Sequence, residues 1–223
     1  MELHRRELTA YEGAALAKRY KARIDAIAAA EKRAGHGERP ATFAACGYYM
    51  LLARKDEFEV ARLLMDPGFR SQIESQFEGA VDFHFHLGGG AVATNHPVTG
   101  KPVKRELREW IVSAMKTLAA MRRLRNTWAD PWQYSPERKL AAEWVRRYDA
   151  DVQHIEQALA GAVDARSRTA LCELPRVPKK LRGYGHVREA HSTQALGVRD
   201  QALERLAAGY VEKRTVGQVP TAA

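Results

Sequence analysis

Cysteine is scarce in this chain: 223 residues contain two, Cys46 and Cys172. That count excludes a disulfide framework, and it excludes an all-cysteine iron–sulfur cluster, which needs four thiolates. The two lie far apart, each in an apolar helical pattern, and read as small buried hydrophobes. No apolar run approaches the roughly 20 residues of a membrane span. The opening stretch, Met1-Glu2-Leu3-His4-Arg5-Arg6-Glu7, is charged and lacks the apolar core of a signal peptide, so a cytoplasmic protein is expected. Internal repeats, low-complexity linkers and breaks in composition are missing too. One mostly helical domain is the simplest account, spanning 1–212 with a frayed tail at 213–223.

What the chain does have is an ordinary balance of 45% hydrophobic and 28% charged residues, enough for a real core. Its formal charge of +9 permits an anionic partner without demanding one. Helix signals dominate. Thr9-x-x-Glu12 reads as a capping box, after which Leu16, Tyr20, Ile24 and Ile27 recur at helical spacing until Gly35. Phe43 to Leu52 reads as a buried helix. Asp66-Pro67, Ser135-Pro136 and Asp164 are start signals, and Asp56-x-x-Glu59 reads either as a cap for a further helix carrying Val60, Leu63 and Leu64 or as part of a helix running straight through. Phe69, Ile73 and Phe77 line one face of the helix after Asp66. Leu107, Ile111, Ala114, Leu118 and Met121 line another helix, and Leu140 to Leu159 a long one ending at Gly161. A last helix is expected over about 199–208. Only Val81, Phe83 and Phe85, alternating with Asp82, His84 and His86, read as a strand, with a partner at Val103 to Arg105 across the Thr99-Gly100 turn. The expected fold is therefore mainly α, a multi-helix domain with one small β-hairpin.

Few residues invite chemistry. Gly183-x-Gly185 lacks the third glycine and preceding strand of a dinucleotide fingerprint, and Gly88-Gly89-Gly90 lacks the Gly-Lys-Ser/Thr ending of a P-loop. Both read as backbone turns. His84 and His86 share a strand face and, with His96, suggest a metal site, but without a full ligand set. Asp56, Glu57 and Glu59 read as helix caps and partners for Lys55 and Arg62 rather than as an acid–base pair. No nucleophile setting is recognisable, and no catalytic residue is assigned. The basic groups carry more weight: Lys101, Lys104, Arg105 and Arg108; Arg122, Arg123 and Arg125 beside Trp128 and Trp132; Arg176, Lys179, Lys180, Arg182 and Arg188. Lys104, Arg105, Arg125, Lys180, Arg182, His186 and Arg188 are the candidates for meeting an anionic partner. No nucleic-acid-binding module fits, so nucleic acid is not the expected partner.

Several stretches, taken in order, resemble one family. They are Arg5-Arg6-Glu7-Leu8-Thr9-Ala10-Tyr11, Arg54-Lys55-Asp56-Glu57-Phe58-Glu59-Val60-Ala61-Arg62-Leu63, Phe85-His86-Leu87, and Thr99-Gly100-Lys101-Pro102. Leu124-Arg125-x-Thr127-x-x-Asp130-Pro131 and Leu181-Arg182-Gly183-Tyr184-Gly185-His186-Val187-Arg188-Glu189 follow. Together they are similar to the C-terminal helical region of the fused indolepyruvate ferredoxin oxidoreductases, from about Arg5 to about Ala208. The chain departs from that pattern where Gly88-Gly89-Gly90 replaces Ala-Pro-Pro and Asn126 replaces glycine. Trp132 and Tyr184 replace phenylalanines, and Arg188 replaces a lysine.

The resemblance implies a parent reaction: oxidative decarboxylation of an aryl pyruvate on thiamine diphosphate, acyl transfer to coenzyme A, and electron flow through iron–sulfur clusters to ferredoxin. No cofactor is expected in this chain; those two groups belong to the parent enzyme. The expected role is an accessory, non-catalytic helical domain, with the catalytic domains of a 2-oxoacid ferredoxin oxidoreductase as partner and ferredoxin as a further one. The alternative is a free-standing basic helical module that binds an acidic protein or nucleic acid. A third reading is a metal or small-molecule enzyme built on the His84/His86 strand.

Overall fold

The computed structural model describes residues 1–35, 39–79, 81–87, 94–95, 102–103, 105–107, 110–161, 164–183 and 185–216. It is mainly helical, as the periodicity predicts. The chain forms two compact units, Met1–Ala53 with Pro131–Ala223, and Arg54–Asp130.

The first unit begins with α1 (Glu2–Tyr11) and α2 (Ala14–Ala34). The expected capping box at Thr9 is not formed. Thr9 lies inside α1, and its Oγ1 donates to the Arg5 carbonyl at 2.8 Å. The break falls instead at Gly13, whose φ of 136° favours glycine. Tyr20, Ile24 and Ile27 bury one face of α2, and Gly35 closes it in the left-handed conformation at φ 65°. The α3 helix (Pro40–Leu52) starts on a proline and buries Ala44, Tyr48 and Leu51.

Ser135 starts α7 (Pro136–Ala160) by accepting from the Arg138 N–H at 3.2 Å, and Trp144, Tyr148, Val152, Ile155 and Leu159 fill the core. Gly161 ends α7 in an extended rather than left-handed conformation. Asp164 caps α8 (Ala165–Glu173) through the Ser167 N–H. A 3₁₀ segment follows (Leu174–Lys180), then α9 (Gly185–Val216). The expected helix over 199–208 is thus only part of α9. Its earlier half packs through small residues, Ser192 and Ala195, which register weakly as an apolar stripe.

Aromatic packing ties these helices together. Tyr20, Tyr48 and Tyr148 stack with ring centroids 6.0 and 5.6 Å apart. His4 stacks on Tyr49 at 4.2 Å and sets Nδ1 2.9 Å from the Tyr20 hydroxyl. Trp144 Nε1 donates to Ser192 at 2.8 Å. The Tyr148 hydroxyl donates to the Pro175 carbonyl at 3.0 Å. Beside it, a Cβ at Gly47 would stand 2.3 Å from that same carbonyl and 2.8 Å from the Tyr148 hydroxyl, so only glycine fits this approach. Asp151 on α7 is buried and forms an ion pair at 2.7 Å with the half-buried Arg199 on α9. Cys46 and Cys172 are half-buried rather than fully enclosed.

The second unit holds α4 (Glu57–Leu64), α5 (Pro67–Glu74) and α6 (Ile111–Ala120), with a 3₁₀ turn at Met121–Leu124. Asp66 caps α5, its Oδ1 accepting from Gly68 and Phe69 at 2.8 and 3.2 Å. Among the described residues the unit also has four short strands: β1 (Phe85–Leu87), β2 (Thr94–Asn95), β3 (Pro102–Val103) and β4 (Arg105–Leu107). Antiparallel pairing sets Phe85 opposite Leu107 and His86 opposite Glu106, and Thr94 opposite Val103. Antiparallel pairing is formed, but it starts at Phe85 rather than Val81, and its partner is 105–107 rather than Val103 to Arg105; Val103 pairs with Thr94 instead. Leu107 belongs to β4, so α6 begins later than expected, at Ile111. Thr99-Gly100 and Gly88-Gly89-Gly90 lie outside the described residues. Among the described residues the buried apolar side chains here are Phe58, Ala61, Ile111 and Met115.

Candidate functional site

Two stretches that lie far apart in sequence meet inside the second unit. Asp56 has extended backbone and caps α4, its Oδ1 accepting from the Glu59 N–H at 2.9 Å. Arg125, just after the 3₁₀ turn, closes a two-pronged pair on the same carboxylate: Nε donates to Oδ2 at 2.7 Å and Nη2 to Oδ1 at 2.9 Å. Its guanidinium also lies 5.6 Å from the centre of the buried Phe58 ring. Such a fork-on-carboxylate contact fixes geometry as well as charge. One residue on, Asn126 adopts φ 60°, a left-handed conformation that asparagine tolerates better than most side chains. Its N–H donates to Asp130 Oδ2 at 3.0 Å, and its Oδ1 accepts from Arg54 Nη2 at 3.0 Å. The exchange of glycine for Asn126 is therefore conformationally mild.

This cluster braces the loop that follows. Asp130 is buried, and its N–H donates to the Thr127 carbonyl at 3.0 Å. Thr127 Oγ1 donates to the Leu124 carbonyl at 2.6 Å. At the apex Trp128 stands 89% exposed. Both Asp56 oxygens already accept donors, so the cluster is a scaffold and not an acid–base centre.

Arg125 therefore cannot serve as a contact for an external anion: it is buried and its charge is taken up by Asp56. Sequence reasoning missed Asp56 as its partner, since the two are 69 positions apart and no local pattern links them. The other candidates fall differently. Lys104 lies outside the described residues; the Arg105 backbone pairs with Leu87 in the hairpin. Lys180 and Arg182 are exposed at the end of the 3₁₀ segment, beside exposed Lys179. Nearby, Arg176 lies 3.5 Å from the centre of the Phe43 ring. His186 lies in the first turn of α9, and Arg188 is half-buried on it. The structure thus brings Lys179, Lys180 and Arg182 into one exposed basic run.

His84 is engaged by carboxylates, its Nδ1 2.5 Å from Glu106 and its Nε2 3.2 Å from Asp82. The Glu106 hydrogen bond, then the Asp82 one, push its pKa up. His96 lies outside the described residues. Among the described residues no group of three His, Cys, Asp or Glu side chains is placed to hold a metal. The two cysteines cannot supply the four thiolates of an all-cysteine iron–sulfur cluster, so that group does not fit this chain alone. No described helix is long and apolar enough to cross a membrane.

No curated protein and no solved structure matches the chain. Over residues 1–201 it matches the family of unknown function DUF6537, and it belongs to that family.

Proposed function

We propose that this chain is an accessory, non-catalytic helical domain of a 2-oxoacid ferredoxin oxidoreductase of the indolepyruvate type. It packs against cytoplasmic catalytic domains that carry the thiamine diphosphate and the iron–sulfur clusters. The observation that carries this reading is the apolar surface of the second unit. Its α5 helix buries no residue, and Phe69, Phe77, Trp110 and Trp128 are all exposed. Exposed aromatics gathered on one unit mark interaction surfaces. Trp128 is moreover held on a braced loop, so little ordering cost remains when a partner covers it. The braced cluster is built from Asp56 and Arg125, which belong to two of the stretches that carry the resemblance. The partner supplies the chemistry; this chain supplies a surface.

Gentle affinity purification from the native cell tests the proposal. The expected companion is a large protein with thiamine diphosphate and the visible absorbance of iron–sulfur clusters. Phe77→Ser with Trp128→Ser should reduce its recovery at least about tenfold, the scale of losing two aromatic anchors. Oxoacid-dependent electron transfer by the purified chain alone would overturn the non-catalytic role. The free-standing alternative rests on the exposed Lys179, Lys180 and Arg182 run, and tight, salt-sensitive nucleic-acid binding would favour it.

A further inference from the structure

The outer faces of α1 and α2 enclose an open groove of about 580 Å³. Helical spacing builds it. From α1, Glu2, Arg5, Arg6 and Thr9 lie on one stripe, three and four residues apart. From α2, Lys18 and Lys21 lie on another. The floor is alanine, at positions 10, 14 and 17, and the groove exists because those side chains stop at Cβ.

The walls therefore carry four cations against one carboxylate, Glu2. Three of the cations have surface partners: Arg5 with Glu2, Arg6 with Glu7, and Lys21 with Asp25. Exposed pairs of this kind contribute little and exchange readily. Lys18 is paired with no described carboxylate. Two adjacent arginines offer flat donor forks matched to phosphate oxygens, and two lysines opposite offer compact positive charge. The volume falls within the roughly 300–1,000 Å³ range of small-ligand sites.

We propose that this groove binds a small phosphorylated molecule carrying two adjacent phosphates, of the nucleoside-diphosphate class. The phosphates lie between the Arg5/Arg6 wall and the Lys18/Lys21 wall, and the rest of the ligand lies over the alanine floor. This site is independent of the docking surface proposed above, and either can fail without the other.

Isothermal titration of the full chain with inorganic pyrophosphate and with ADP, at about 0.15 M salt where diffuse surface attraction is largely screened, tests it. Saturable one-to-one binding of both is expected. Arg6→Ser with Lys18→Ser should weaken both at least about tenfold, the loss of one or two charge-assisted hydrogen bonds. Ala14→Leu keeps the net charge and fills the floor, so it should weaken ADP by a similar factor. All three positions are exposed, so the variants retain the helical circular dichroism of the parent chain. Absence of saturable binding at this salt overturns the proposal. So does an Ala14→Leu chain that binds ADP as the parent does, since that result assigns the heat to surface charge without a built groove.

Discussion

The first unit encloses Trp144, four tyrosines and a run of aliphatic side chains. Among its described residues the second encloses fewer apolar side chains, chiefly Phe58, Ala61, Ile111 and Met115. Each also buries an aspartate in an ion pair, Asp151 with Arg199 in the first and Asp56 with Arg125 in the second. The context differs. In the first unit the pair sits beside a large apolar core that already specifies the packing. In the second the pair is a large part of what is buried among the described residues. Small cores draw less from apolar burial and depend more on directional contacts. The same unit leaves aromatic surface uncovered. Rigid local geometry with unspent apolar area is what a part made to be completed by a partner needs.

The largest expected effect tests the core of the first unit. Trp144→Ala should cost about 3–5 kcal/mol, from the cavity and from a buried Ser192 hydroxyl left without its donor. Chemical denaturation should show the loss as a lowered midpoint. Arg125→Met comes next, at about 3 kcal/mol, because it strands a buried carboxylate. Hydrogen exchange should show protection lost within 54–130 while Tyr20, Tyr48 and Tyr148 amides stay protected. Equal loss in both units would erase the distinction drawn here. Adding Asp56→Leu should restore only part of the stability, since α4 then lacks its cap, worth about 1 kcal/mol.

The smallest effect is in pH, and the two units should respond with opposite sign. Burial, and then the positive N-terminus, lower the pKa of His4. The unfolded chain therefore takes up that proton first, and this contribution to stability is lost as pH falls below the ordinary value of 6.5. His84 is raised by Glu106 and Asp82. Its contribution is full below 6.5 and fades as pH rises through the folded value. Imidazole NMR titration should place His4 below 6.5 and His84 above it. The reverse order would break the pairing of sites with signs.

Local physics made much of the helical skeleton legible. Asp66, Ser135 and Asp164 all cap the helices their positions announce, and Asp56 settles as a cap the choice its position left open, because a short acceptor before a helix satisfies nearby N–H groups. The expected Phe69, Ile73 and Phe77 face is formed only in part: α5 ends at Glu74, so Phe77 lies beyond it, and the Phe69 side is left largely uncovered, which periodicity does not announce. The first helix was hidden by its charge, and the start of α9 by small residues. The Asp56–Arg125 pair was illegible for another reason: it joins two segments through tertiary folding alone. The groove on α1 and α2 had a readable signal, cations and alanines at three- and four-residue spacing, but only the close approach of the two helices turns those stripes into walls.

Gly47 carries one more consequence. Three segments converge on the space where its side chain would be, with the Pro175 carbonyl and the Tyr148 hydroxyl nearest. The join behaves like a keyway cut to the width of a hydrogen atom. Nineteen of the twenty letters are too wide for it, so any drift at this position must first re-route the backbone around Pro175. The freedom that the surface of α5 keeps for meeting other molecules is, at Gly47, withheld altogether.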